Sequence, residues 1–164
     1  MKFLNPRQLT SPRHTSPYTP NMSYSIALQT YQTNTNAFFR PVEQTVWNFA
    51  NGGTWSDTDG TKTLTMGGSG TSGGIRFQSP GTNEQFIVYT GVHNYARWCD
   101  IVTDPNGSTA TTLHPAYYQS GTPQTAARER QSASCSATNS RGRNINVTYN
   151  VATGNNLSAN IVIG

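Results

Sequence analysis

Two runs near the C-terminus constrain this chain more than anything else in it. Ile145, Val147, Tyr149 and Val151 alternate with Asn146, Thr148 and Asn150, and Leu157, Ala159, Ile161 and Ile163 repeat the same spacing. A period of two puts one side of each run in an apolar interior and the other in water, as a half-buried strand requires. Gly154-Asn155-Asn156 lies between them, and these residue types accept the backbone angles of a tight turn. The pair reads as a hairpin, and the rest of the chain must offer it a second apolar surface.

Most of the chain repeats that grammar. Tyr24, Ile26 and Leu28 alternate with Ser25, Ala27 and Gln29. Val46-Trp47-Asn48-Phe49 is a second candidate strand, followed by Asn51-Gly52-Gly53 as a turn. Lys62–Met66 is short and extended, Gly67–Gly74 is a glycine-rich turn, and Ile75-Arg76-Phe77 resumes extended chain. Gln85–Tyr95 is a longer run of β-branched and aromatic residues, and Trp98–Thr103 follows. Only Pro115–Tyr118 and Thr125–Ser134 look helical, as two short segments. Charged residues make up 11% of the chain, and the Lys, Glu, Leu and Ala runs of long helices are missing. Many short strands at regular spacing predict an all-β sandwich or barrel.

Residues 1–21 stand apart. They hold four prolines, Lys2, Arg7 and Arg13, no acid and no apolar period, so we expect a disordered N-terminal extension before a domain at 22–164. The segment faintly resembles a transit peptide, but an extension of no structural role is the preferred reading, with Met22 as a candidate start. It has no apolar stretch of the signal-peptide kind, which gives an expectation of a cytoplasmic protein. The net charge is +4, yet residues 22–164 carry eight basic against seven acidic side chains. Arg128 and Arg130 with Arg141 and Arg143 are the nearest approach to a basic stripe, and nucleic acid is not an expected partner. No run reaches the length of a membrane span.

Chemistry-bearing residues are sparse. Gly70-Thr71-Ser72-Gly73-Gly74 matches the nucleophile-elbow pattern in letters, but extended chain follows where that motif needs a helix. The same loop lacks the lysine of a phosphate-binding loop. Ser72 with His93 and Asp100 could be imagined as a triad, and Asp57 with Asp59 as paired acids, with no spacing to support either. Two cysteines and three histidines form no metal pattern, and no cofactor is implied. Cys99 and Cys135 read as free thiols in a reducing compartment, with a disulfide left open. Sequons begin at Asn21, Asn106, Asn146 and Asn156, as an Asn-, Ser- and Thr-rich chain would give by chance. The densest polar and aromatic cluster is His93-Asn94-Tyr95 with Trp98-Cys99-Asp100. A sugar needs such a mixture, because its hydroxyls want donors and acceptors while its C–H faces rest on rings. Any one of these residues taken singly fits a structural role better, Trp98 and Tyr95 as core aromatics and His93 as a hydrogen-bonded structural histidine.

Several runs together resemble one family. They are Phe38-Phe39-Arg40-Pro41-Val42-Glu43, Asn51–Trp55, Leu64–Gly73, Gly91–Tyr95, Arg97–Thr103, Ala127–Glu129 and Gly154–Gly164. In this order, from Met22 to the end, the chain is similar to the fungal fruit-body lectins, the mushroom lectins of Agaricus, Xerocomus and Boletus. The resemblance implies a sandwich of two antiparallel sheets linked by a helix–loop–helix, like that of the actinoporin toxins. It also implies a homotetramer, no catalysis, and two separate sugar sites. The first, for Galβ1-3GalNAc, carries over onto Ala50, Ser69, Gly70, His93 and Asn94. The second, for terminal GlcNAc, matches at Asp100, Ile101 and Thr103. It departs at Gln124, where the family has arginine, and at Cys135, where it has tyrosine. Loss of a guanidinium fork and an aromatic platform predicts a weak or altered second site. A defence role against glycan-bearing feeders follows from the same resemblance. The alternative, a membrane-active cytolysin on this architecture, wants an amphipathic N-terminal helix, and residues 1–21 do not encode one.

Overall fold

The computed structural model describes residues 22–34, 36–47 and 51–164. The expected tail at 1–21, and Asn48, Phe49 and Ala50, lie outside the described residues. Ten strands and a helical segment follow in order: β1 Tyr24–Gln32, β2 Arg40–Trp47, β3 Gly53–Thr58, β4 Thr61–Met66, β5 Ser72–Ser79, β6 Glu84–His93 and β7 Ala96–Thr103, then α1 Ala110–Leu113, a 3₁₀ turn His114–Tyr118 and α2 Pro123–Glu129, then β8 Ser134–Thr138, β9 Asn144–Val151 and β10 Asn156–Ile163. They form a six-stranded sheet, β3-β4-β1-β10-β9-β8, and a four-stranded sheet, β2-β5-β6-β7. This is the expected β-sandwich, with one departure: β1 and β10 pair in parallel.

The burial pattern explains the architecture. Ile26 and Leu28 of β1, Ile145 and Val147 of β9, and Leu157, Ala159 and Ile161 of β10 meet Ile75, Phe77, Phe86 and Val88 of the smaller sheet in the main core. Phe39 and Phe77 both lie against the Phe86 ring, at 5.3 and 4.9 Å. The alternate residues of β6, Ile87 and Tyr89, point the other way and pack with Trp98, Ala110, Tyr117 and Ala127 in a second core under the helices. The smaller sheet is thus covered on both faces, and β6 is a continuous apolar run for that reason.

Local chemistry sets the ends. Thr109 caps α1, and Glu43 of β2 accepts from the amides of Ala110 and Thr111 at 2.9 Å each. Thr122 caps α2 with Pro123 in its first turn, and Gln131 at φ 50° stops the helical segment short of the expected Ser134. The strand expected through Tyr95 ends earlier: β6 stops at His93, which pairs with Ala96, and Asn94 and Tyr95 turn the chain at φ 46° and 65°. Gly53–Thr58 and Ser134–Thr138, which showed no strand signal, are the two edge strands of the larger sheet. The glycine-rich turn is also shorter than expected, since Ser72 already belongs to β5.

Candidate functional site

Two turns at one end of the smaller sheet meet. The segment Gly67–Thr71 connects β4 to β5, and Asn94-Tyr95 connects β6 to β7. The amide of Gly70 donates to the Val92 carbonyl at 2.7 Å, and Val92 donates back to Thr71 at 3.0 Å. Ser69 Oγ accepts from the Tyr95 amide at 2.9 Å. Gly70 sits at φ +100°, which a side chain would strain, and both its backbone groups are engaged, the amide on Val92 and the carbonyl on the Tyr118 hydroxyl. These bonds bring four of the five residues of the first expected site together: Ser69, Gly70 and His93 half-buried, and Asn94 exposed. The fifth, Ala50, lies outside the described residues. Tyr95 beside them is 73% exposed.

The end of α2 completes this wall. His93 Nε2 lies 3.0 Å from Glu129 Oε2 and 3.2 Å from Asn94 Nδ2, and Gln131 Nε2 donates to the His93 carbonyl at 2.6 Å. Arg128 donates to Glu129, holding that carboxyl below its ordinary range. The Arg128 guanidinium also covers the Tyr118 ring at 4.8 Å, and Tyr118 in turn donates to the Gly70 carbonyl at 3.2 Å. Glu129, Gln131 and Tyr118 were not singled out from sequence as site residues. The only hint of them was Ala127–Glu129 among the runs that resemble the family. The arrangement presents hydroxyl, amide, carboxylate and backbone groups on a fixed rim beside an exposed ring. That set can pair with a polyhydroxylated ligand.

The second expected site is split between two layers. Asp100, Ile101 and Thr103 follow one another on β7 and are half-buried. Asp100 turns toward the helices, where Tyr117 donates to it at 2.8 Å. Burial raises its pKa, opposed by that bond. Ile101 packs against the main core instead. Gln124 is half-buried in the first turn of α2, which packs on β7. Cys135 on β8 is close enough to Asp100 for that charge to act on its thiol. No groups of three or more metal-ligating side chains occur among the described residues.

The residues weighed for catalysis are placed elsewhere. Ser72 is fully buried, and its hydroxyl meets His114 Nε2 at 2.8 Å and Tyr118 at 2.6 Å. Its partners are therefore neither His93 nor Asp100. His114 is fixed on its other nitrogen by Thr45 Oγ1 at 3.0 Å, and burial depresses its pKa to about 4. Strand β5 runs on from Ser72, so the elbow geometry is not formed. Asp57 is ion-paired with Lys62 across the β3–β4 hairpin, and Asp59 occupies its turn. The arginines are also engaged: Arg143 is buried on Glu84, and Arg128 covers Tyr118.

Comparison with known proteins agrees with this geometry. The family model described as fungal fruit body lectin matches residues 22–161. The chain is 50% identical to Boletus edulis lectin over 143 residues, which cover 86% of this chain and 99% of that protein. It is similar to the crystal structure of wild-type Xerocomus chrysenteron lectin, with a TM-score of 0.83 and 51% identity. That match covers 87% of this chain and 100% of that one. A Xerocomus chrysenteron lectin carrying three substitutions to methionine gives a TM-score of 0.84, also at 51% identity, over 88% and 99%. With the sandwich, the helical segment and the paired turns in the same chain order, this protein belongs to the fungal fruit body lectin family.

Proposed function

We propose that this lectin binds Galβ1-3GalNAc at the rim formed by Ser69, Gly70, His93 and Asn94, with Ala50 as a fifth contact, and that it performs no catalysis. The observation that carries the reading is the locking of the two turns, in which the Tyr95–Ser69 and Gly70–Val92 bonds hold Ser69, Gly70 and Asn94 on one rim. In this reading Ser69 and Asn94 hydrogen-bond ring hydroxyls, including the axial O4 that marks galactose configuration. His93, steadied by Glu129, shapes the wall. An epimer that leaves one of these groups unpaired loses about 1–3 kcal/mol, roughly fivefold to 150-fold in affinity. We further propose that the site around Asp100, Ile101, Thr103, Gln124 and Cys135 is weak toward GlcNAc. Assembly as a homotetramer on cell-surface glycans would convert modest single-site affinity into avidity. A defensive role against glycan-bearing feeders fits such a binder, as does action from the cytoplasm on release.

Calorimetric titration with Galβ1-3GalNAc and, separately, with chitobiose tests this reading. The variant Asn94→Gly is the clean perturbation, because glycine accepts φ 46° and removes only the amide side chain. The expected result is saturable heat with the first sugar, weak or no heat with the second, and at least a tenfold loss for Asn94→Gly with the fold intact. Unchanged affinity in Asn94→Gly would move the site away from these turns, and a silent parent protein would overturn the specificity.

A further inference from the structure

Cys99 lies on β7, the edge of the smaller sheet, and Cys135 on β8, the edge of the larger one. The two edges are packed side by side. Tyr149 fixes both neighbourhoods: its hydroxyl donates to the Trp98 carbonyl at 3.1 Å, and its amide donates to the Ala133 carbonyl at 2.8 Å. The Cys99 thiol points toward the Ser132 carbonyl at 3.7 Å, three positions before Cys135, and the two sulfurs are near enough for each to bear on the other's ionisation. Cys99 is 2% exposed, while Cys135 is half-buried against the main core. The two free thiols thus lie on packed edges at the seam of the sandwich, thirty-six positions apart in sequence.

We propose that Cys99 and Cys135 are a dithiol modification site that closes reversibly to an intramolecular disulfide joining the edges of the two sheets. The oxidant is a low-molecular-weight disulfide such as oxidised glutathione. The neighbouring Cys99 sulfur and burial push the Cys135 thiol up, so the exchange is slow at neutral pH and quickens as pH rises. The small thiolate fraction of Cys135 attacks one of the oxidant's sulfurs, forming a mixed disulfide and releasing one glutathione thiolate. Cys99 then attacks Cys135 Sγ, the new S–S bond forms, and the second glutathione thiolate leaves. The two protein protons end on the two glutathione thiolates, and two electrons pass from the protein to the oxidant. The bridge encloses α1, the 3₁₀ turn and α2, so it constrains the segment that carries both Gln124 and Glu129.

The full chain, equilibrated across glutathione redox buffers, acid-quenched and alkylated, gives the test by intact mass. The sequence has only these two cysteines, so the readout is unambiguous. The expected oxidised form loses the mass of two hydrogens, takes up no alkylating agent and yields one Cys99–Cys135 peptide without reduction. Its thermal midpoint should rise by about 10 °C over the reduced form. Cys135→Ser should keep one alkylatable thiol and show no such rise. Two fully alkylatable thiols in the most oxidising buffer would overturn the proposal. So would a glutathione adduct that never proceeds to the bridge, or a disulfide-linked dimer.

Discussion

Glu84 and Arg143 form an ion pair almost out of contact with water, their side chains 3% and 6% exposed. The pairing is a fork: Nε reaches one carboxylate oxygen at 2.7 Å and Nη2 the other at 2.9 Å. Asn139 donates to the carboxylate at 2.7 Å, Asn36 accepts from the guanidinium at 3.0 Å, and the Phe39 ring lies 5.1 Å from it. Glu84→Gln keeps the shape and removes the charge, leaving a buried cation unmatched, which costs about 3–5 kcal/mol. A second route gives a similar size. Arg143 first, with Asn139 helping against burial, holds the Glu84 pKa at about 2 instead of 4.5. A depression of that size is worth about 3 kcal/mol of folding stability. Because the folded pKa is the lower one, this contribution is complete above pH 4.5 and is lost as pH falls through 2.

Urea unfolding of the parent, Glu84→Gln, Arg143→Met and the double variant Glu84→Gln/Arg143→Met measures it. The single Glu84→Gln should lose about 3 kcal/mol at pH 7 and lose its acid-dependent decline between pH 4.5 and 2. The double variant should cost less than the sum of the singles by at least about 2 kcal/mol, since each single change strands the other's charge. Sugar affinity should not change in any variant that folds, because Glu84 begins β6 and His93 ends it. A loss under about 1 kcal/mol in Glu84→Gln, or additive singles, would refute the reasoning, because surface pairs behave that way.

His114 should act in a separate window. Burial lowers its pKa to about 4 from 6.5, so the folded state resists its protonation. Stability should fall by about 3 kcal/mol as pH drops from 6.5 to 4, and His114→Gln should flatten that slope in urea titrations; an unchanged slope would assign it to another group. Gly91→Ala should cost about 2–4 kcal/mol by thermal melting, because its methyl would meet the Thr71 carbonyl at 2.7 Å and Ser72 Cβ at 2.5 Å. Gly81→Ala, with nothing within 4 Å, should be neutral. Gln124→Arg with Cys135→Tyr should give saturable heat with chitobiose where the parent gives little; no gain would mean that these two positions do not set the second site.

Strands were legible where burial was one-sided and strong. The hairpin of β9 and β10 followed from alternation, and β6 from its unbroken apolar run. The edge strands β3 and β8 were not legible, because an edge strand of Thr, Ser, Ala and Asp buries little and is held by its neighbour's backbone. Trp55, the one large residue in β3, is fixed by donating to the Thr45 carbonyl at 2.9 Å on the other sheet. Nothing local could announce the parallel pairing of β1 with β10, whose partners lie at opposite ends of the domain. The site divides in the same way. Ser69, Gly70, His93 and Asn94 stand in turn-forming or polar runs, while Glu129 reaches His93 from thirty-six positions away and only the fold discloses it.

Tyr95 shows what the site costs and why the scaffold can hold it. Asparagine tolerates left-handed backbone, but a tyrosine at φ 65° does so at a cost of order 1–2 kcal/mol. A glycine there would give the easier two-residue turn. The strain persists because both flanking strands are pinned: β6 is buried on both faces, and Ser69 holds the Tyr95 amide. What the chain gains is an exposed tyrosine following His93 and Asn94, on a turn that cannot relax without breaking the bond from the Tyr95 amide to Ser69. A ring and a set of polar groups fixed before binding lose little entropy when a sugar arrives. For a small polar ligand bound at a shallow rim, preorganisation is a main source of affinity the protein can control.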